Sequence, residues 1–164
     1  EVWDAMPGHE ALPSVHLARF PTVHEDWCDA ELETRWERLL GVRSDVAREL
    51  EKLRADKKIG SGLDARVALH AEGDLLEFLR AHEGLLPETL IVSEVSVAEG
   101  MPANATPGTD APGLGVIAAP SARPKCGRCW RLLPSVGHDP EHPELCSRCA
   151  GVVKTLPPQQ EAGA

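Results

Sequence analysis

The sequence of 164 residues contains no tyrosine, only two phenylalanines and four tryptophans, so aromatic side chains are scarce. It has no run approaching the roughly 18 consecutive apolar residues that a membrane-spanning helix needs. No basic segment followed by an apolar one marks a secretory signal. We therefore expect no membrane partner and a cytoplasmic location. Because the chain begins with glutamate, we also expect it to be the C-terminal piece of a longer protein.

Cysteine is sparse too, but four of the five cysteines form two Cys-x-x-Cys pairs, Cys126 with Cys129 and Cys146 with Cys149. Each pair places two sulfurs on one side of a tight turn, and two such turns supply the four soft ligands of a tetrahedral zinc. Four thiolates leave no open coordination position, so the sequence predicts one structural zinc and no catalytic residue. The alternative is a set of disulfides or redox thiols, which more often involves a single pair.

Other potential metal ligands fit this site less well. His138 and His142 could form a mixed set with the first pair, but only eight residues separate Cys129 from His138. Fingers of that class have about twelve, so we place both histidines on the loop between the pairs. Cys28 has no partner in the sequence and is expected to be a partly buried bystander.

Prolines divide the chain, because none of the 14 occurs over residues 22–86. In this block, apolar residues recur at three- and four-residue steps on both sides of Gly41, which predicts one long amphipathic helix or two shorter ones. Asp29 is the expected N-cap, and Gly60 and Gly62 end the helical block. The apolar stripe consists of Leu32, Trp36, Leu39, Leu40, Val46, Leu50 and Leu53.

The residues after this block predict a strand over 65–71, a helix over 73–86 and a second strand over 89–98. Residues 99–115 hold three prolines and four glycines without an apolar period, which predicts a linker or exposed loop. The expected fold class is α+β: a long amphipathic helical block, a small strand–helix–strand unit, a Pro/Gly-rich linker and a four-cysteine zinc finger. The expected boundaries are 1–60 for the helical part, 61–98 for the α+β unit, 99–118 for the linker, 119–154 for the finger and 155–164 for a disordered tail.

Basic and aromatic residues are interleaved with the zinc-binding pairs: Arg128, Trp130, Arg131 and Arg148. Guanidinium groups for phosphates and an aromatic face for stacking are typical of binding to single-stranded or looped RNA. The net charge of −9 argues against nucleic acid, but residues 123–154 are formally +3 and the remainder −12. The alternative is that Trp130 packs across the zinc site as a small core while the arginines are solvated.

Four segments together resemble the C-terminal region of bacterial isoleucyl-tRNA synthetase: "EVW" at 1–3, "SVHLARFP" at 14–21, "KIGSGLDARVAL" at 58–69 and "CGRCW … LCSRCAGVV" at 126–153. Formamidopyrimidine-DNA glycosylases carry a related finger, so the combination is more specific than the finger alone. Gly62 departs from the family, which more often has a second serine at this position.

The resemblance implies a class I ligase that joins isoleucine to tRNA(Ile) using ATP, with Rossmann catalytic, editing and helical anticodon-binding domains before a C-terminal zinc module. HIGH-like and KMSKS-like motifs are absent here, so ATP and isoleucine would bind only in the catalytic domain that this chain lacks. Residues 1–60 would end the anticodon-binding domain. The expected partners are the anticodon arm of tRNA(Ile) and the rest of the same polypeptide, in a monomer.

By position, the four paired cysteines match the zinc ligands of that family, and Arg128 and Trp130 match its segment near the anticodon arm. Lys57 and Lys58 carry no implied contact and are expected to be a solvated helix end. Two alternatives stay open: the finger of a DNA-repair glycosylase-like protein, and a protein-interaction zinc ribbon that binds no nucleic acid.

Overall fold

The computed structural model describes residues 2–8 and 10–156, which divide into two units. The first unit extends to Thr34 and contains three 3-10 helices, Trp3–Ala5, Val15–Leu17 and Glu25–Trp27. None of its described side chains is buried. Four large apolar side chains of this unit are at least 73% exposed: Val2, Phe20, Val23 and Trp27. The described part of this unit therefore has no hydrophobic core of its own.

Helix α1 (Ala30–Ala55) is one continuous helix rather than two. The Asp29 carboxylate accepts the Leu32 N–H at 2.9 Å, as expected of an N-cap. Gly41 does not break the helix, and a Cβ there would lie 2.9 Å from the carbonyl oxygen of Asp110. The buried side of α1 begins only at Leu39 and also includes Val42, Val46 and Leu50. Leu32, Trp36 and Leu40 belong to the predicted stripe but are 38–51% exposed, because the core packs against the second half of the helix.

The second unit, from Arg35, contains a four-stranded sheet. Its strands are β1 (Ala65–Ala71), β2 (Glu94–Glu99), β3 (Thr106–Pro107) and β4 (Gly115–Pro120), in the order β2-β1-β4-β3. Strand β1 pairs parallel with β2 and antiparallel with β4. Helices α2 (Gly73–Ala81) and α3 (Leu86–Leu90) lie on the crossover between the two parallel strands. Burial alternates along β1 as its sequence predicts.

The predicted second strand begins too early, because Thr89 and Leu90 end helix α3 and β2 starts at Glu94. Pro87 lies in the first turn of α3, where its fixed φ suits a helix. Ile91 then has a φ of 55° and ends the helix. Gly62 lies against this corner, since a Cβ there would be 2.6 Å from the carbonyl oxygen of Ile91. A side chain at this position would therefore require the corner to shift.

The linker prediction over 99–118 is wrong for residues 99, 106–107 and 115–118, which lie in strands. The loop between these strands is ordered by Asp45 of α1, which is 4% exposed. Its Oδ1 accepts the N–H groups of Thr109 at 2.8 Å and Asp110 at 3.2 Å, and its Oδ2 accepts that of Ala111 at 2.8 Å. These polar contacts, rather than an apolar period, give this segment its order.

The finger follows the sheet and ends in helix α4 (Ser147–Thr155). Its own small core consists of Cys126, Leu145, Cys146, Cys149 and Ala150. Because α4 includes Thr155, the predicted tail begins too early, and residues 157–164 lie outside the described residues. The α+β fold class is confirmed. None of the helices in the described part of the chain has the length and hydropathy that crossing a bilayer demands.

Candidate metal centre and nucleic-acid interface

The two Cys-x-x-Cys turns bring together the sulfurs of Cys126, Cys129, Cys146 and Cys149, all within 4.8 Å of one another. The Sγ atoms of Cys129 and Cys146 are 3.8 Å apart. A tetrahedral zinc with Zn–S bonds of about 2.3 Å needs sulfurs separated by about 3.8 Å. All five cysteines of the chain are free. The four sulfurs therefore form one centre that fits a single structural zinc, not two disulfides.

Backbone hydrogen bonds hold the two turns in this geometry. In the first turn, the Cys126 N–H donates to the Arg131 carbonyl and the Trp130 N–H donates to the Cys126 carbonyl, both at 3.0 Å. Cys146 is the N-cap residue of α4, and Cys149 lies in its first turn. The Cys146 N–H also donates to the sulfur of Cys126 at 3.3 Å. The ligand positions are thus set by the backbone.

The thiols of the cluster differ in acidity. Burial raises the pKa of Cys129 to about 12 and also raises the pKa of Cys146. Burial acts the same way on Cys126, but backbone N–H groups that donate to its sulfur lower its pKa to about 6. Thiolates this close repel one another, so they cannot all ionise without a nearby cation. Zinc supplies that positive charge when bound, and its binding releases the remaining protons.

Two arginines of the finger are presented to solvent. Arg128 is exposed, and its Nη1 lies 3.8 Å from the Cys149 sulfur, where the guanidinium offsets the charge of a thiolate. Arg148 is exposed in the first turn of α4. Within residues 2–8 and 10–156, its guanidinium has neither a hydrogen bond nor an ion pair. Both groups can therefore reach a phosphate.

Trp130 lies on the surface of the finger, with 63% of its area exposed. The alternative in which it packs across the zinc site is therefore wrong. Its φ is 63°, a left-handed conformation that favours glycine and costs other residues about 1–2 kcal/mol. An exposed indole held in a strained conformation is typical of a binding site.

Replacing Trp130 by glycine is expected to give a finger about 1 kcal/mol more stable than replacing it by alanine, because only glycine lacks the Cβ that strains this backbone. Thermal unfolding of the two zinc-loaded variants, followed by circular dichroism, measures the difference. Equal stability of the two variants would contradict the strain. A large loss in both variants relative to the parent chain would show that the indole packs on the finger.

Arg131 differs from the other three residues predicted to contact RNA. It is half-buried, and its Nη2 donates to the Ser93 carbonyl at 3.4 Å. Its Nε is buried without a hydrogen-bond partner in the part of the chain that the structure describes. The structure thus brings Arg128 and Trp130 to the surface of the finger and ties Arg131 to the sheet. Ser93, its partner, was missed because one serine in an apolar, strand-like segment gives no signal.

The remaining candidates play no part in the metal centre. His138 and His142 lie on the loop between the cysteine pairs, as predicted, and are not members of the cluster. Cys28 is exposed, so the prediction of partial burial is wrong; it belongs to the unit that buries no described side chain. The Lys58 Nζ pairs with Asp56 at 2.9 Å, as expected of a solvated helix end.

Comparison with known proteins gives two findings. Residues 124–151 match a family model described as "Zinc finger found in FPG and IleRS". Isoleucine–tRNA ligases match nearly the whole chain. The protein from Geobacter sulfurreducens is 44% identical over 156 residues, which is 94% of this chain and 17% of that protein. The protein from Desulforudis audaxviator is 45% identical over 160 residues, which is 95% of this chain and 17% of that protein.

The chain therefore spans about one sixth of the length of these relatives, since it covers 17% of each. The resemblance to bacterial isoleucyl-tRNA synthetase is confirmed, and so is one structural zinc. The family model that matches the finger covers two classes of protein. Similarity to isoleucine–tRNA ligases over nearly the whole chain favours the ligase over a DNA-repair glycosylase.

Proposed function

We propose that this chain is the tRNA-binding C-terminal part of an isoleucine–tRNA ligase, an enzyme that charges tRNA(Ile) with isoleucine using ATP. Eight such ligases are 38–45% identical to it over 91–95% of its length. The chain has no ATP-site signature, so catalysis belongs to the rest of the polypeptide. The enzyme would act as a monomer in the cytoplasm, and this part would hold the anticodon arm.

The exposed indole of Trp130 is the observation that carries this proposal. It directly follows Cys129, two residues after Arg128, while Arg148 directly precedes Cys149, another cysteine of the cluster. The indole would stack on an unpaired base, and the two guanidinium groups would bind phosphates. The four paired cysteines would be the zinc ligands, so the metal would hold the turns that carry these side chains without itself touching RNA.

The second proposed partner is the remainder of the same polypeptide. In the first unit, Phe20 is 98% and Val23 82% exposed. In the second, Trp36 and Leu40 of α1 are 39% and 51% exposed. Apolar side chains that form an exposed patch mark a surface that contacts other protein. We assign that contact to the ligase domains that this chain does not contain.

The test is binding of transcribed tRNA(Ile) by the zinc-loaded chain, compared with its Arg128→Ala/Trp130→Ala variant. Because stacking on one base contributes about 1–3 kcal/mol, we expect affinity to fall about 10- to 100-fold. A control variant, Arg80→Ala, removes an exposed arginine that lies outside both the finger and residues 1–60, and is expected to have little effect. Zinc content and circular dichroism verify that each variant is folded.

Three other outcomes would overturn parts of the proposal. Unchanged affinity in the finger variant would move the RNA-binding surface to the helical part of the chain. Preference for duplex DNA over tRNA would favour the DNA-repair glycosylase alternative. Absence of binding to either nucleic acid would favour a protein-interaction zinc ribbon.

A further inference from the structure

A buried serine joins the sheet to the finger. Ser93 is 3% exposed, and its hydroxyl donates to the Leu63 carbonyl at 2.5 Å and accepts the Leu132 N–H at 2.7 Å. Its own N–H donates to the Ala65 carbonyl at 3.2 Å, and its carbonyl accepts the guanidinium of Arg131 at 3.4 Å. Every polar group of this residue is therefore used, and two of the four contacts reach the finger.

The finger residues that Ser93 holds directly follow Trp130 in the chain. On their other side, the Arg131 carbonyl accepts the Cys126 N–H, and Leu132 forms a β-bridge with Lys125. The backbone over 130–132 is thus held between the metal centre and the sheet. Any rotation of the finger against the sheet would have to break the contacts of Ser93.

Apolar packing does not fix this junction, because the buried residues of the sheet and of the finger form two separate clusters. Two ion pairs cross it, Lys125 with Asp64 and Arg123 with Glu94, each at 3.4 Å. Both lysine and arginine are more than half exposed, and solvent-exposed pairs contribute little. Buried hydrogen bonds matter more, since breaking one leaves its donor or acceptor without a partner.

We propose that Ser93 is a positioning residue, which fixes the orientation of the finger on the sheet and so the placement of Trp130 and Arg128 against RNA. The expected effect of Ser93 on RNA binding rests on the proposed function, whereas its effect on the orientation of the finger does not. Arg131 has the same role, because its guanidinium donates to the Ser93 carbonyl and holds the finger against the sheet. It does not contact RNA.

The test compares Ser93→Ala with Ser96→Ala in the zinc-loaded chain without RNA. Ser96 lies three residues further along the same segment, is exposed, and has no side-chain hydrogen bond within residues 2–8 and 10–156. Backbone ¹⁵N relaxation gives separate rotational correlation times for the finger and the sheet. We expect equal times in the parent chain and in Ser96→Ala. In Ser93→Ala we expect a shorter time for the finger, with zinc content unchanged.

The second readout is affinity for tRNA(Ile), which we expect to be about 3- to 10-fold weaker in Ser93→Ala and unchanged in Ser96→Ala. The size corresponds to the loss of the one hydroxyl hydrogen bond that reaches the finger, from the Leu132 N–H. A finger that still tumbles with the sheet in Ser93→Ala would overturn the proposal. If the parent chain binds no tRNA, the proposed function fails, and the relaxation measurement alone tests whether Ser93 fixes the finger on the sheet. If Ser93→Ala does not fold, Arg131→Met removes the contact to the Ser93 carbonyl and is judged by the same relaxation measurement.

Discussion

Replacement of Cys126 by serine is expected to abolish stoichiometric zinc binding and to unfold the finger while the sheet stays folded. Structural zinc contributes roughly 10–16 kcal/mol to the folding of finger peptides at neutral pH. The finger buries only five residues, three of which are cysteines of the cluster, so little else holds it together. Zinc per chain, measured by mass spectrometry, and dispersion of the amide signals over residues 124–155 report the two effects.

The sheet is expected to survive because its core does not depend on the metal. Seventeen buried hydrophobic residues form its cluster, and none of them belongs to the finger. Signals from β1 and from helix α1 should therefore keep their positions when zinc is lost. A chelator added to the parent chain should produce the same spectrum as Cys126→Ser.

The matched control for this experiment is Cys28→Ser. Cys28 is exposed and is not a member of the cluster, so the same chemical change should leave zinc content and spectrum as in the parent chain. Retention of one zinc per chain by Cys126→Ser would mean that this cysteine is not a ligand. Collapse of the whole spectrum in that variant would show that the sheet depends on the finger.

The features that the sequence predicts correctly are those set by local spacing. Two Cys-x-x-Cys pairs predict a four-sulfur centre because a tight turn places its two sulfurs on one side. Alternation over 65–71 predicts β1, since side chains of a strand point to opposite faces in turn. The cap at Asp29 follows from the position of one polar residue before an apolar period. Each of these depends on residues that are close together in the chain.

The features that were missed depend on contacts between distant residues. The N–H groups that Asp45 binds lie 64–66 residues away, so nothing near them indicates an ordered loop. The Ser93 hydroxyl accepts the N–H of Leu132, 39 residues further on, and the Ser93 carbonyl accepts the guanidinium of Arg131. These contacts make Arg131 half-buried, unlike the exposed arginines of the finger. The exposed start of α1 was missed for a related reason: a periodic pattern shows that a helix has an apolar side but not what covers it.

Replacement of Asp45 by alanine is expected to lower the free energy of unfolding by about 3–5 kcal/mol, because it removes a buried carboxylate and leaves three N–H groups without their acceptor. The loop over 108–114 should lose its order, and β4 should pair less firmly with β1. Urea unfolding measures the free energy. Hydrogen exchange at Val116 and Ile117 reports the pairing of β4 locally.

Asp110→Ala is the matched control, because Asp110 is exposed and pairs with Arg48, which also pairs with Asp45. It loses only solvent-exposed contacts, so its cost should be a small fraction of that of Asp45→Ala. Asp45→Asn keeps one side-chain oxygen as an acceptor and should fall between the two. Equal losses in Asp45→Ala and Asp110→Ala would mean that the ion pairs of Arg48 hold the loop. A graded loss from the parent chain through asparagine to alanine would instead show that this loop owes its order to one buried carboxylate.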